Sequence, residues 1–595
     1  MLKQEQYLSN IPDFTHKNFR VYLDDIASRY TDREALRMKF GEDTAYTTWT
    51  FKQVKQEADT IARYFYSSGF KQGDKIGILS ENRPEWGITY LGIVSSGLVA
   101  VPIDAMLEAE TVASIVDHSD CKALFYSEKQ QEKLQLVKKK CGDLSIFINF
   151  DTSAGDEPHY SQIVSGTWKA QLPTADDLAP ESMASIIYTS GTTGEPKGVM
   201  LSHRGIIANV SASIISLPIY ASDVFILVLP LHHTYPTTCS FLSPLIVGGS
   251  VTIAEKLVGK KIIANIRETG GSVLIGVPLL FDKIKQSMQS RLKEQPLPTR
   301  IMLGVFTALS RFFLRTLGLP AGKLLFRSLR EKAGLASLRL MVSGGGPLNS
   351  DTADFFDTLG FSIVQGYGMS ENGPLIATNT VDYKNNSSVG LPVKYTDIKT
   401  IEPDQQGVGE IVVRSPSLML GYYKNEQATR ESFTEDGYLR TGDLGYFDKK
   451  GFLFIAGRRK NLIVTSGGKN IYPEEIEYKF GDSTAIKEII IVGKQESEKS
   501  RGEDVVAVCV PDYEYLQELY PDREITREFA EELIGKEISE VNKTLPGYKK
   551  IQEYIIRDEG FEKTSSQKIK RYLYKDRLGD IRADVRLEES EKQEP

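Results

Sequence analysis

The sequence predicts an α/β fold of more than one domain, on three observations. From Asp74 onward, short apolar β-rich runs alternate with helix-length amphipathic segments. Beyond residue 387, short strands with Gly and Asp turns take over. After the charged turn Gly457-Arg458-Arg459-Lys460-Asn461, a final smaller α/β segment follows. Apolar strands alternating with helices indicate parallel sheets covered on both faces. Short strands between tight turns indicate a small antiparallel barrel or sheet. At 595 residues the chain is ample for a large core and several domains.

In chain order, residues 17 to 70 carry helical periodicity, interrupted by a predicted hairpin around Phe40 to Phe51. Lys75 to Leu79, Val99 to Ile103 and Ala123 to Tyr126 read as strands, with helices at Trp86 to Gly97 and Ala109 to His118. A second series of strands is predicted at Val224 to Leu229, Ser250 to Ala254, Ser272 to Val277, Leu338 to Val342 and Ser362 to Gln365. Gly409 to Arg414 and Gly451 to Ala456 are the clearest strands of the small sheet. The last residues, Leu587 to Pro595, are charged and expected to be disordered.

Composition narrows the function classes. A formal net charge of -7 argues against a dedicated nucleic-acid binder, which would carry a basic excess. The four cysteines, Cys121, Cys141, Cys239 and Cys509, are scattered without metal-like spacing and suit a reducing compartment. Met1 to Thr15 is polar, and no run reaches the ~18 uninterrupted apolar residues of a membrane span. The expectation is a cytoplasmic protein. One region stands apart: residues 300–332 are strongly apolar yet carry Arg311, Arg315, Lys323, Arg327 and Arg330. Either two helices pack on the large domain with snorkelling arginines, or a basic amphipathic segment meets an anionic membrane.

The segment richest in chemistry is Tyr188-Thr-Ser-Gly-Thr-Thr-Gly-Glu-Pro-Lys-Gly198, which follows the apolar run Met183 to Ile187. It gathers the hydroxyls of Thr189, Ser190, Thr192 and Thr193, the glycines Gly191, Gly194 and Gly198, and the ammonium of Lys197. Glycines let the backbone approach an anion and aim N–H groups at it, and hydroxyls add donors. The pattern reads as a polyphosphate grip. It is not the loop of the common nucleotide hydrolases, because Glu195 and Pro196 separate Gly194 from Lys197. The plainer alternative is a polar surface loop.

Other segments add to it. Gln365-Gly366-Tyr367-Gly368-Met369-Ser370-Glu371 offers Tyr367 to stack a purine and Glu371 to hold magnesium, or is simply a strand-to-turn junction. Ser343-Gly344-Gly345-Gly346 is a wall without side chains that a base or acyl chain can approach, or a tight turn before a helix near Asn349. Asp443 is placed in a turn, as an acceptor for ribose hydroxyls or as an ordinary Gly-Asp turn. His232 and His233 end an apolar strand with no sequence neighbour that would make a metal site. Glu562 to Arg571, by itself, is a solvated basic run.

Taken together, these segments resemble the adenylate-forming superfamily of acyl-CoA synthetases, luciferases and peptide-synthetase adenylation domains, from about residue 20 to about 575. The resemblance is strongest to the long-chain fatty acyl-CoA synthetases, through the insertion from Gln295 to Gly334 and the segment Val464-Thr-Ser-Gly-Gly-Lys-Asn-Ile471. It implies a large N-terminal domain (1–457) of two packed α/β subdomains plus a small β-barrel. A hinge (458–461), a smaller mobile α+β C-terminal domain (462–580) and a charged tail (581–595) would follow.

The resemblance implies ATP-dependent activation of a long-chain fatty acid to acyl-AMP, then transfer to coenzyme A. Thr189, Ser190, Gly191, Thr192, Thr193, Gly194 and Lys197 would hold the ATP phosphates. Gly344, Gly345, Gln365, Gly366, Tyr367, Gly368, Met369 and Ser370 would form the adenine and α-phosphate site. Glu371 and Thr189 would bind Mg2+. Asp443 would take the ribose, assisted by Arg458, and His233 would border the acyl carboxylate. Lys460 would be the hinge residue, Lys568 the catalytic lysine, and Gly467, Gly468 and Lys469 the CoA-binding turn. Two positions depart from the family pattern: Ser370 stands for Thr, and Gln567 for the Gly before the lysine. The alternatives are a ligase that passes the acyl group to a carrier protein, and a decayed acyl-lipid scaffold. A homodimer, and peripheral contact with the inner face of the membrane through residues 300–332, complete the expectations.

Overall fold

The computed structural model describes residues 18–41, 44–151, 157–189, 196–256, 258–481, 483–495, 502–563 and 569–575. Ser190, Gly191, Thr192, Thr193, Gly194, Gln567, Lys568 and the tail 581–595 lie outside the described residues. The chain divides into two compact units. One holds residues 1–398, 413–439 and 449–453; the other holds residues 399–412, 440–448 and 454–595.

Two sheets frame the first unit. In the seven-stranded sheet the order is Gly421–Tyr422, Lys197–Ser202, Met183–Thr189, Val99–Ile103, Lys75–Leu79, Cys121–Tyr126 and Ile146–Asn149. The last five run parallel, and the first two close one edge antiparallel. The nine-stranded sheet runs Leu391–Pro392, Leu375–Thr378, Ser362–Gly368, Leu340–Ser343, Val273–Gly276, Val224–Leu227, Ser250–Ile253, Glu34–Met38 and Thr47–Thr50. Its six strands from Ser362–Gly368 to Glu34–Met38 are parallel. Helix Pro84–Ser95 touches strands of both sheets and buries every residue except Glu85. A helix apolar all round has this position available only inside a core. Two predicted helices, at Ala109–His118 and around Trp86, therefore differ in kind, since the former keeps a solvent face.

A four-stranded sheet of Asp397–Ile401, Gly409–Arg414, Leu439–Phe447 and Leu453–Arg458 is carried mostly by the second unit. In that unit, strands Ile486–Lys494, Asp504–Pro511 and Glu553–Ile556 form a sheet. Helix Arg527–Thr544 contributes Ala530, Ile534 and Ile538 to the core beside it.

Three expectations need correction. Gln365 to Gly368 belong to the strand Ser362–Gly368 itself, which continues into a hairpin with Leu375–Thr378. Asp443 lies inside the strand Leu439–Phe447, because Gly442 adopts a left-handed φ of 69° within the strand and mimics a turn in the sequence. The insertion holds three helices, Leu297–Leu317, Gly322–Leu325 and Arg327–Lys332, the first of them long and apolar enough by length and composition to cross a membrane. Scanning for uninterrupted apolar runs misses it, because its arginines break the run in sequence while a helix spreads them around its circumference.

Helix His203–Ser216 begins directly after the strand Lys197–Ser202, capped by the Ser202 hydroxyl, which accepts from Gly205 N–H at 3.0 Å. His203 is fully buried beside Phe19, whose N–H donates to its Nδ1 at 3.5 Å. Burial lowers its pKa from 6.5 to about 4. The unfolded chain therefore binds more protons between those values, and the neutral ring's contribution is present above pH 6.5 and lost as pH falls toward 4. The shift corresponds to about 3 kcal/mol. His203→Gln is expected to flatten the dependence of the urea midpoint on pH across that window; an unchanged slope would remove His203 as its source.

Candidate active site

The phosphate-grip segment is mounted on a hairpin. Strands Met183–Thr189 and Lys197–Ser202 pair with Thr189 opposite Lys197 and Tyr188 opposite Gly198, so Thr189 and Lys197 stand at the mouth of the intervening loop. Gly198 is required there: a Cβ would fall 2.9 Å from the Ile186 side chain and 3.2 Å from the Tyr188 ring. The outer strand Gly421–Tyr422 joins this hairpin with Tyr422 opposite Val199. That register sets the Lys197 ammonium over the Tyr422 ring, 5.1 Å from its centroid. The Tyr422 hydroxyl donates to Glu371 Oε1 at 2.8 Å. Burial, reinforced by the Glu371 carboxylate, pushes the Tyr422 pKa up and keeps the phenol protonated as a donor. One tyrosine thus connects two residues that the sequence singled out separately. Tyr422 itself carries no sequence signal, since only strand pairing brings it to Glu371, 51 positions away.

The remaining first-unit residues gather at the C-terminal ends of parallel strands, where α/β folds bind ligands. Gly344 and Gly345 follow the strand Leu340–Ser343. Gly344 donates its N–H to Gly276 O at 3.0 Å, and a Cβ on it would fall 2.7 Å from the Tyr235 ring. Helix Ser350–Thr358 begins after its Asn349 cap, at the predicted position. Gln365 is buried, Gly366 follows it in the same strand Ser362–Gly368, and Tyr367 and Met369 are partly buried against the large core. Gly368 passes so close to Pro374 that a Cβ would sit 2.1 Å from its carbonyl oxygen. Ser370 and Glu371 begin a short 3-10 turn, Ser370–Asn372.

His232 and His233 lie in the loop after strand Val224–Leu227. Asn82 holds that loop, donating to Leu229 O at 2.7 Å and accepting from Leu231 N–H at 2.8 Å. The two imidazoles meet Nε2 to Nε2 at 3.1 Å, and Thr234 donates to the Ser370 hydroxyl at 3.3 Å. A carboxylate distant in sequence is near: Asp104, at the end of strand Val99–Ile103, lies 3.5 Å from His232 Nε2. Burial nevertheless holds His232 below its usual pKa.

The second unit brings three further residues together. Arg458 Nε lies 3.1 Å from Asp443 Oδ1, with Asp443 buried and its N–H donating to Thr441 Oγ1 at 3.1 Å. Lys460 has its pKa lowered by burial and by the Arg458 charge, with Asp443 opposing. Gly467, Gly468 and Lys469 form the turn between strands Ile463–Val464 and Asn470–Ile471. Gly468 has φ of 70° and open space around it, and the Lys469 ammonium lies 4.5 Å from the Tyr548 ring centroid. On either side of Lys568, Lys563 and Ile569 pair in an antiparallel bridge. Arg571 is anchored by Glu477 and donates to Ile491 O at 3.2 Å.

Among the described residues no group of three or more His, Cys, Asp or Glu side chains is placed to cage a metal ion. The Glu371 carboxylate and the Thr189 hydroxyl are oxygen donors of the kind magnesium takes alongside waters and phosphate oxygens.

Strand-end glycines, the Lys197 ammonium at a hairpin mouth and the Glu371 carboxylate thus lie on one α/β unit. The family description "AMP-binding enzyme" matches residues 23–423, and the chain belongs to that family of ATP-dependent, adenylate-forming acid–thiol ligases. The chain is 30% identical over 490 residues to long-chain-fatty-acid–CoA ligase heimdall of Drosophila melanogaster, a match that spans 77% of this chain and 71% of the relative. Long-chain-fatty-acid–CoA ligase FadD15 of Mycobacterium bovis is 29% identical, with 76% of each chain covered. In fold the chain is similar to a solved anthranilate CoA ligase in complex with anthranoyl-AMP. The TM-score is 0.75 at 20% identity, covering 95% of this chain and 98% of that one.

Proposed function

We propose that this protein is a long-chain fatty acid–CoA ligase that forms acyl-AMP with release of pyrophosphate and then acyl-CoA. The observation that carries the reading is the meeting of Lys197 and Glu371 on Tyr422, which fits a site for a polyphosphate with its cation. The long-chain relatives favour an alkyl acid, as does the apolar insertion.

In this reading, the loop between Thr189 and Lys197 grips the ATP phosphates, and Tyr367 with Gly344 and Gly345 takes adenine. Asp443 accepts the ribose hydroxyls while Arg458 fixes its carboxylate. His233, oriented by His232, borders the acid's carboxylate. A fatty carboxylate approaching a triphosphate meets charge repulsion, and Lys568 offsets it where charge grows at the α-phosphorus. Glu371 and Thr189 would hold magnesium, which would supply further neutralisation of the phosphates. Attack by the carboxylate oxygen forms the acyl–phosphate bond and expels pyrophosphate. Rotation about Lys460 then exchanges Lys568 for the Gly467 to Lys469 turn, which admits the CoA thiol to displace AMP. The reaction takes place in the cytoplasm, at the inner face of the membrane.

The test is pyrophosphate release across straight-chain acids from acetate to oleate, with aryl acids included. Dodecanoate to octadecanoate are expected to dominate, and CoA to outperform a holo-carrier protein as acceptor. Preference for acetate or benzoate would overturn the acid assignment, and preference for the carrier would overturn the acceptor.

A further inference from the structure

We propose that His118 is a positioning residue for ATP, steadying the hairpin that carries the phosphate-grip loop. His118 ends helix Ala109–His118, and Ser119 and Asp120 lead the chain into strand Cys121–Tyr126. Its imidazole stands edge-on to two tyrosines, Tyr188 at 82° and Tyr423 at 79°, each with ring centroids 5.9 Å apart. Both tyrosines are tied to Gly198, the residue after Lys197. Tyr188 pairs with Gly198 across the hairpin and immediately precedes Thr189 at the loop mouth. Tyr423 follows the outer strand Gly421–Tyr422 and donates its N–H to Gly198 O at 2.8 Å. His118 Nδ1 and the Tyr188 hydroxyl share a hydrogen bond of 2.7 Å.

The far side of this cluster is pinned by charge. The Tyr423 hydroxyl donates to Asp120 Oδ2 at 2.6 Å, and Lys424 Nζ donates to Asp120 Oδ1 at 2.7 Å. The Lys75 ammonium lies 5.4 Å from the Tyr423 ring centroid. Asp120 takes a left-handed φ of 54°, a conformation that Asp and Asn tolerate better than most residues. Burial and the Lys424 charge hold His118 below its ordinary pKa, against Asp120 and Asp117. Burial pushes the Tyr188 phenol up, so both partners of the bond are neutral at neutral pH. A loop rich in glycine and hydroxyls binds an anion with the order that its ends impose. Fixing Tyr188 and Gly198 therefore lowers the ordering cost of binding. The inference rests on the reading that this loop grips the ATP phosphates, and extends it to a residue 70 positions away from Tyr188.

The experiment is ATP binding to the full chain by calorimetry, with KM and kcat measured for ATP, fatty acid and coenzyme A. His118→Phe keeps a ring between the two tyrosines and removes the polar partner. Tyr188→Phe removes the same bond from its other end. Each is expected to weaken ATP binding and raise the KM for ATP by about fivefold, the scale of one net hydrogen bond. At saturating ATP, kcat and the other two KM values should stay within about twofold of wild type, because only ATP binding is weakened. The double variant should match either single one, since the two changes remove one bond. His118→Asn, whose amide can donate or accept where Nδ1 stands, should restore ATP binding to within about twofold of wild type. A purely structural role would lower thermal midpoints and leave the KM for ATP alone. Wild-type ATP affinity in both Phe variants, additive losses in the double variant, or a loss in His118→Asn as large as in His118→Phe would overturn the role of His118. A wild-type chain that binds no ATP would overturn the phosphate-grip reading, and the proposal with it.

Discussion

Lys568→Ala is expected to lower pyrophosphate release with a fatty acid by about a hundred- to a thousandfold, the scale of removing one preorganised charge from a developing anion. Thioester formation from supplied acyl-AMP and CoA should stay within about threefold of wild type, because the mixed anhydride is already made and the lysine has no further charge to neutralise. The split between half-reactions is the informative readout. A lysine that merely held the second unit together would lower both. The described residues on either side have their own anchors: the Lys563–Ile569 bridge is backbone, Lys563 pairs with Glu488 at 2.5 Å, and Arg571 is held by Glu477. Equal loss of both half-reactions would remove Lys568 from the adenylation step.

The parallel strands are legible in the sequence because burial on both faces leaves short unbroken apolar runs. Lys75–Leu79 and Val99–Ile103 begin and end where composition places them, as does Gly409–Arg414 in the small four-stranded sheet. Asp443 shows where local reading stops, since a glycine in the left-handed region looks the same whether it ends a strand or bends one. The candidate site is legible only in parts. Motif residues such as Lys197, Tyr367 and Glu371 announce themselves by type and spacing. Their supports do not: Asn82 reaches Leu229 across 147 positions, and Asp104 reaches His232 from a different sheet. Such partners are chosen by register and sheet order, which one-dimensional patterns do not contain. The same holds for the helix Leu297–Leu317, whose exposed apolar face emerges only when the other side is seen to be packed.

Tyr422 provides the second large effect. Tyr422→Phe keeps the ring beneath the Lys197 ammonium and removes the hydroxyl that donates to Glu371. A hydrogen bond to a charged group contributes about 1.5–3 kcal/mol, so adenylation is expected to fall by roughly ten- to a hundredfold. The loss should be partly recovered by raising magnesium, because a carboxylate released from its donor is less well oriented but still present. Tyr422→Ala removes the ring as well and should cost about a further fivefold, the scale of a partly exposed cation–π contact. Glu371→Gln separates the two roles. If Tyr422 acts through Glu371, then Tyr422→Phe in the Glu371→Gln background should cost far less than in wild type, since coupled residues are not additive. Equal losses in both backgrounds, or a magnesium dependence untouched by Tyr422→Phe, would show that the hydroxyl only packs. The positioning role would then fall to the backbone just before the outer strand, where Met419 N–H donates to Glu371 O at 2.8 Å.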